Sequence, residues 1–339
     1  MRRHPIALAA LVLALPAMGF TAEPSPEEVQ LRFAWPAATS AQVTWDRSLQ
    51  YPKVIRKLKP EKSAGDGIDT YRTIREATFQ TFRSRGTMRI DARRAGDEIL
   101  VSMRDVDSPG APPPFQPSRT SDFVPSMRDV VQVLRPDGTV ARLEGTESLR
   151  KARQRLLGVG VQLFGEDYFP SLERGDLQEA SDLWALLVAG WAGRSLPLGT
   201  PVSGEATGRL PRADVTVPHR FEIHARRVPC GVPFPSSCVE VVVRREASAD
   251  VLGLAQAANN RSLPAALKPA TAPQDGGAYL GAARLVTDPT TLLPVHLSFA
   301  ERYDLPGSDG AFFATTLEMD FAWDPPPGPQ PPTTDATGR

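Results

Sequence analysis

The feature that most restricts the fold of this chain is an alternation of apolar and polar side chains in residues 312–323. One set of alternate positions is almost entirely apolar; it consists of Phe313, Thr315, Leu317, Met319, Phe321 and Trp323. The positions between them include the polar residues Thr316, Glu318 and Asp320. Because successive side chains of a strand point to opposite faces, this pattern predicts a half-buried antiparallel strand.

The same period recurs along most of the chain. It predicts strands at 43–51, 71–82, 215–228, 239–245 and 295–299. Two further pairs of apolar runs are separated by turn residues, Ala95-Gly96-Asp97 in one pair and Pro136-Asp137-Gly138 in the other. Each pair is predicted to be a β-hairpin, since glycine can adopt the positive φ that such turns require.

Helical periodicity is confined to the middle of the chain. Thr146 is suited to cap a helix that ends at Gly158, and residues 251–258 are a candidate for a short helix. A third helix is predicted to end at Gly193. Its apolar residues recur at helical spacing and are Leu177, Ala180, Trp184, Leu187, Val188 and Trp191. We therefore expect an α+β fold: a curved, half-barrel-like antiparallel β-sheet with two or three helices covering its apolar face.

The N-terminal residues have the pattern of a signal peptide. Arg2 and Arg3 precede ten uncharged residues, 6–15, and small residues follow at Ala17 and Gly19. The apolar run is about half the length that a membrane-spanning helix needs. We expect residues 1–19 to be removed on export to the periplasm or the medium, leaving one domain at 20–324 that does not span a membrane. The alternative is an ordinary apolar helix.

The proline-rich tail, 325–339, is predicted to be disordered, because Pro-Pro-Pro-Gly-Pro-Gln-Pro-Pro cannot contribute to a packed core. The two cysteines of the chain, Cys230 and Cys238, lie between two predicted strands and are separated by turn residues. In an oxidising compartment such a pair is expected to form a disulfide. A redox role would favour Cys-X-X-Cys spacing, which is missing.

Composition argues against several classes of function. Removal of residues 1–19 leaves 37 basic against 39 acidic residues, so the mature chain has no basic excess for nucleic acid or for an anionic membrane surface. His219 and His224 are five apart on one predicted strand, which sends them to opposite faces and prevents them from binding one metal together. We identify no catalytic motif, metal site or cofactor site.

The apolar faces provide the candidate binding residues. In a curved sheet, part of such a face can remain open and hold an acyl chain or another apolar ligand. The candidates for ligand contact are Val295, Leu297, Phe299, Phe313, Leu317, Phe321, Trp184 and Trp191. The alternative is that these side chains form an ordinary hydrophobic core.

Two strings carry a family resemblance. Leu285-Val-Thr-Asp-Pro-Thr-Thr-Leu-Leu-Pro294, followed by 295–303, resembles the entry to a late strand in the LolA/LppX-like exported half-barrel proteins. Leu196-Pro-Leu-Gly-Thr-Pro-Val-Ser-Gly204 is similar to a strand entry in related uncharacterised exported bacterial families. The resemblance implies a curved antiparallel sheet with helices on its concave side, and lipid binding in some members. The segment 108–125 has no counterpart there.

Three functions remain compatible with these observations. The first is a non-catalytic binding or carrier protein of the cell envelope, with a lipid or other apolar ligand. The second is a structural or adaptor protein whose partner is another envelope protein, bound through 108–125 or through the tail. The third is a hydrolase that uses carboxylates in an unfamiliar site.

Overall fold

The computed structural model describes residues 27–61, 70–107, 130–147, 177–178, 180–210, 215–231, 234, 237–248, 278–304 and 312–324. Antiparallel β-structure dominates this part of the chain. Its strands are β1 (Glu28–Gln30), β2 (Ala38–Glu61), β3 (Thr70–Ala95), β4 (Glu98–Asp107), β5 (Val131–Leu134), β6 (Val140–Glu144), β7 (Ser195–Pro197), β8 (Val202–Leu210), β9 (Val215–Val228), β10 (Cys238–Ala247), β11 (Tyr279–Thr287), β12 (Pro294–Asp304) and β13 (Phe312–Trp323).

Eleven of these strands form one sheet in the order β6-β5-β4-β3-β2-β13-β12-β11-β10-β9-β8. Every pairing in it is antiparallel. The order follows the chain on either side of β13, which lies between β2 and β12 and so joins the two groups of strands. The sheet is not closed, since β6 and β8 are its two outer strands. The remaining strands, β1 and β7, pair with each other.

The predicted alternation is confirmed on β13 and on several other strands whose burial is described. On β13, Met319, Phe321 and Trp323 are buried, whereas Glu318 and Asp320 are exposed. We call the buried side of the sheet the covered face and the opposite side the open face. The covered face carries, among others, Val43 on β2, Ile90 on β3, Val101 on β4, Ile223 on β9, Val241 on β10, Leu285 on β11 and Leu297 on β12.

Both predicted hairpins are also confirmed. Gly96 joins β3 to β4 with φ +64°, and Gly138 joins β5 to β6 with φ +79°. A second reason for glycine at position 138 is steric, because a Cβ there would lie 2.5 Å from Cγ1 of Val188. The turn and the helical segment above it thus approach each other closely only because this position has no side chain.

A helical segment covers one part of the covered face. Residues 180–184 are α-helical and continue into a π-helix, Ala185–Ala189, that ends at Gly190; we call 180–189 the covering helix. Trp184, Leu187 and Val188 are almost fully buried in the same hydrophobic cluster as the sheet residues. Trp184 Nε1 donates to Oε1 of Gln132 on β5, at 2.5 Å, which fixes this helix to the sheet.

The number of helices differs from the prediction. The described residues contain one short helix rather than two or three, and the fold is mostly β. The other two predicted helices, at 146–157 and 251–258, fall on residues outside the described ranges, apart from 146 and 147. The predicted signal peptide, the segment 108–125 and the tail 325–339 also lie outside them.

The disulfide is confirmed. Cys230 and Cys238 are bonded, with their Cα atoms 4.8 Å apart, at the end of the β9–β10 hairpin where Cys238 pairs with Val228. Closing a loop this short contributes about 2–3 kcal/mol in the chain-entropy model. The bond is compatible with an oxidising, exported location.

The turn between β11 and β12 is held by a buried carboxylate. Asp288 accepts hydrogen bonds from Thr290 N at 3.2 Å, Thr290 Oγ1 at 2.8 Å and Thr291 Oγ1 at 2.6 Å. These bonds let Leu292 adopt a φ of +59°, in the left-handed region. Two tryptophans then donate to the same turn: Trp35 Nε1 to Leu292 O and Trp323 Nε1 to Pro294 O. The Asp-Pro-Thr-Thr string is therefore a structural turn.

No helix in the described ranges is both long enough and apolar enough to cross a bilayer.

We expect Asp288→Ala to destabilise the fold by about 2–3 kcal/mol, because it removes a buried acceptor and leaves three donors of a partly buried turn without it. The matched control is Asp137→Ala, in the exposed β5–β6 turn, where Asp137 accepts from Thr139 N and Thr139 Oγ1. The control should cost no more than about 1 kcal/mol, since water can replace those bonds. Urea unfolding of both variants measures the difference. Equal losses would contradict the assignment of Asp288 as the residue that holds the turn.

Candidate functional site

The predicted apolar contact residues do not all have the same environment. Trp184, Trp191, Leu297 and Phe321 are buried in one hydrophobic cluster, and Leu317 is half-buried against it. Val295 and Phe299 are half-buried. The backbone of Phe313 pairs with that of Tyr303.

Around the covering helix, this cluster is filled by its own side chains. Trp35 lies at its centre, with its ring 5.6 Å from that of Trp184 and 5.4 Å from that of Trp323, both edge-on. Trp191 Nε1 donates to Leu186 O at 2.7 Å, so its polar atom is also satisfied. This half of the covered face is packed as a protein core is, with interlocking rings. Trp45 Nε1 and Gln132 Nε2 are buried there without a hydrogen-bond partner among the described residues.

Farther along the same face, the covered side chains become polar. Thr315 on β13 pairs in register with Glu301 on β12, and Glu301 pairs with Gly281 on β11. One step further, Phe313, Tyr303 and Tyr279 follow each other in the same way. Thr315, Glu301, Tyr303 and Tyr279 are each at most 5 % exposed. We call these four residues the buried polar cluster.

A glycine shapes this cluster. Tyr279 Oη donates to Oε2 of Glu301 at 3.2 Å. To reach it, the Tyr279 ring lies over Gly281, where a Cβ would come within 2.8 Å of Tyr279 Oη. Any side chain at this position would therefore push the tyrosine away from the carboxylate. Burial, and next the charge of Glu301, raise the pKa of Tyr279 well above its ordinary value, so its hydroxyl remains a donor.

Tyr303 differs from its neighbour because its hydroxyl has no partner among the described residues. The residue is 3 % exposed, and no described group forms a hydrogen bond with its buried Oη atom. Burial raises the pKa of Tyr303 to about 12, so the group is a neutral donor at physiological pH. An unpaired buried hydroxyl costs about 1–3 kcal/mol. The described part of the fold therefore buries a hydroxyl donor without an acceptor.

Charged groups surround the cluster. Arg245 on β10 and Asp182 on the covering helix are near enough for their charges to act on the pKa of Tyr279. His219 on β9 is also buried, and its Nδ1 lies 3.3 Å from Val217 O. Burial lowers the pKa of His219, and the charge of Arg245 lowers it further. The histidine is thus neutral at physiological pH.

The sequence contained a signal for this cluster that the prediction did not use. Residues 295–303 alternate as the strand prediction requires, but the apolar positions end in Glu301 and Tyr303. A carboxylate at an apolar position of a strand needs a partner once it is buried. The identity of that partner could not be read from the chain, because Tyr279 becomes a neighbour only through the β11–β12 register.

The open face carries the other titratable groups. His224 is exposed there, with Nε2 2.5 Å from Glu222 Oε1, and so faces away from His219 as predicted. Glu240 bridges Arg226 and Arg284, which together lower the pKa of Glu240. In the described ranges, no three His, Cys, Asp or Glu side chains are placed to hold a metal ion.

A matched pair of variants separates the roles of the two tyrosines. Tyr279→Phe removes a donor from the buried Glu301 and should destabilise the fold by about 1–3 kcal/mol. Tyr303→Phe removes an unpaired hydroxyl and should leave stability unchanged or raise it by about 1 kcal/mol. Urea unfolding of ligand-free protein measures both. A loss in Tyr303→Phe as large as that in Tyr279→Phe would contradict the unpaired state of the Tyr303 hydroxyl.

No family model matches the chain, and no curated protein matches it either. On the covered face, an apolar core gives way to a buried group of polar side chains, in which the Tyr303 hydroxyl has no hydrogen-bond partner among the described residues.

Proposed function

We propose that this chain is an exported, non-catalytic binding or carrier protein of the cell envelope, and that its ligand is an amphiphile held on the covered face of a curved, half-barrel-like sheet. The polar group of the ligand accepts a hydrogen bond from Tyr303, and its apolar part lies along the half-buried side chains of β12 and β13. The observation that carries the proposal is the buried, unpaired Tyr303 hydroxyl.

The first support is energetic. A folded chain gains nothing from an orphaned buried donor, but a ligand that supplies an acceptor recovers the cost of burying it. The apolar surroundings further favour the hydrogen bond between the ligand and Tyr303, because they exclude the water that would otherwise compete for the hydroxyl. Specificity for a ligand with a carbonyl or hydroxyl oxygen follows from this arrangement.

The second support is the distribution of half-buried apolar side chains near the cluster. Phe299 on β12 and Leu317 on β13 are register partners, one step from the Glu301–Thr315 pair. Both are half-buried, unlike Leu297 and Met319 in the next pair, which are fully buried. An acyl chain that covers Phe299 and Leu317 would extend the packed cluster toward Tyr303.

Two observations support the proposed location outside the cytoplasm. Residues 1–19 have the pattern of a signal peptide. The Cys230–Cys238 bond is of the kind that persists in oxidising compartments. Together they favour a protein that meets its ligand outside the cytoplasm.

A structural or adaptor protein of the envelope is the second candidate. The observation that favours it is the dense packing around Trp35, Trp184 and Trp323, where the described side chains fill the space between helix and sheet. A scaffold needs a filled interior, whereas a carrier needs room on at least part of the covered face. The two candidates therefore differ in whether the Tyr303 end accepts a ligand.

The test is a titration of refolded, lipid-free protein with a fluorescent long-chain fatty acid and with its methyl ester. Wild-type protein should bind at least one of them saturably. Tyr303→Phe should bind about fivefold more weakly, the cost of one hydrogen bond of roughly 1 kcal/mol. The control Thr316→Val, which removes a hydroxyl from the open face of β13, should bind as wild type does.

Absence of saturable binding by the wild type would overturn the carrier proposal and favour the scaffold. Saturable binding that Tyr303→Phe leaves unchanged would show that a ligand binds, but that Tyr303 does not contact its polar group. A preference for the ester over the acid would indicate a neutral polar group, since the site already holds the carboxylate of Glu301.

A further inference from the structure

The open face of the sheet contains a groove over β9 and β10, with a volume of about 640 Å³. Three register pairs of these strands line it, and strand alternation places all of their side chains on one side of the sheet. The pairs are Glu222↔Arg244, His224↔Val242 and Arg226↔Glu240. We call this depression the open-face groove. It lies on the side of the sheet opposite to the buried polar cluster.

One buried carboxylate in the groove holds two guanidinium groups. The side chain of Glu240 is only 4 % exposed, and Arg226 and Arg284 donate to its two oxygens. Both arginines use Nε for this contact, and the Nε of Arg284 lies 2.5 Å from Oε1. Their terminal Nη atoms form no hydrogen bond with a described residue. Each guanidinium is thus fixed through one nitrogen, while the pair of nitrogens that can grip an oxyanion with two parallel bonds is available.

The charges around the groove do not balance. Glu240 supplies one negative charge against two positive ones. Arg244, at the other end of the groove, is exposed and forms no hydrogen bond or ion pair with a described residue, although Glu222 is its register partner. Glu222 lies instead 2.5 Å from Nε2 of His224. A purely structural ion pair would match one acid with one base, so the surplus of arginine favours an anionic ligand.

The middle of the groove is apolar. Val242 is half-buried there, with Arg226 toward one end of the groove and Arg244 toward the other. From residue 240 to residue 244, β10 advances roughly 13 Å, which is more than a single phosphate or carboxylate group can span. The volume and the apolar centre therefore fit an organic molecule that carries an acidic group better than they fit an inorganic ion.

We propose that the open-face groove binds a small organic anion, whose phosphate or carboxylate group is held by the terminal nitrogens of Arg226 and whose carbon part lies over Val242. Glu240 is a positioning residue that orients Arg226. Because Arg284 neutralises Glu240 from the other side, the charge of Arg226 is left for the ligand, and Arg244 adds a second attraction. The site lies outside the covered face, so it goes beyond the proposed function and can be tested separately from it.

The experiment is isothermal titration calorimetry of the full chain with phenyl phosphate, benzoate and phenol, which share an aromatic ring and differ in their polar group. At least one of the two anions should bind saturably, and phenol should not. Tighter binding of phenyl phosphate identifies a phosphate ligand, and tighter binding of benzoate identifies a carboxylate ligand. Arg226→Gln should weaken anion binding about tenfold, as expected for the loss of hydrogen bonds to a charged group.

The matched control is Arg302→Gln, which makes the same change in charge on the open face but outside the groove, where Arg302 donates to Asp304 at 2.7 Å. The control should bind the anions within about twofold of wild type, since screening limits attraction from a distance. Urea unfolding verifies that both variants are folded, and Arg226→Gln should remain so because Arg284 still pairs with Glu240.

Three results would overturn the site. They are an absence of saturable anion binding by wild type, equally tight binding of phenol, and equal weakening by Arg302→Gln and Arg226→Gln. Fatty-acid binding on the covered face should be unchanged in Arg226→Gln, so a failure of either proposal can be recognised without the other.

Discussion

Burial of one face of the sheet is the constraint from which the other features of this molecule follow. Alternating strands leave a broad apolar surface that must be shielded from water, and each large side chain that is fully buried contributes about 1.5–3 kcal/mol. Trp35 connects the elements that provide this shielding. Its ring contacts Trp184 of the covering helix and Trp323 of β13, and its Nε1 donates to the β11–β12 turn at Leu292 O. Segments from both ends of the chain thus meet at one aromatic residue.

The same face has two chemical characters. Near Trp35, the side chains interlock and the indole nitrogens of Trp35, Trp184 and Trp323 have acceptors. Beyond Phe299, burial continues but the side chains are polar, and Gly281 is needed for Tyr279 to lie flat against the sheet. The first region is held together by apolar packing. The second combines the buried Tyr279–Glu301 hydrogen bond with a Tyr303 hydroxyl that has no partner among the described residues.

Much of the fold was predictable because the alternation of apolar and polar side chains along a strand can be read from residues that are close together in the sequence. The β3–β4 and β5–β6 hairpins, the strand at 312–323 and the Cys230–Cys238 bond each depend on residues close together in the chain. The apolar stripe that ends near Trp191 also predicted a helix, although not its change from α to π geometry at Ala185. That change depends on packing against the sheet, which a helical repeat does not encode.

The candidate site was less predictable for a related reason. Tyr279 and Glu301 are far apart in sequence, and their contact requires the β11–β12 register together with the missing side chain at Gly281. The unpaired state of Tyr303 depends on its whole surroundings. Sequence patterns can tell which face of a strand is buried, but they do not tell which polar groups on that face will meet.

The position of β13 has a consequence for how the molecule is assembled. Met319 pairs with Trp45 of β2 on one side and with Leu297 of β12 on the other, so the last described strand in the sequence lies in the middle of the sheet. Until β13 is in place, β2 and β12 both present unpaired backbone edges, and no β-ladder joins the two groups of strands. Joining strands so distant in sequence is slow, so we expect the insertion of β13 to be a late step in the folding of this sheet.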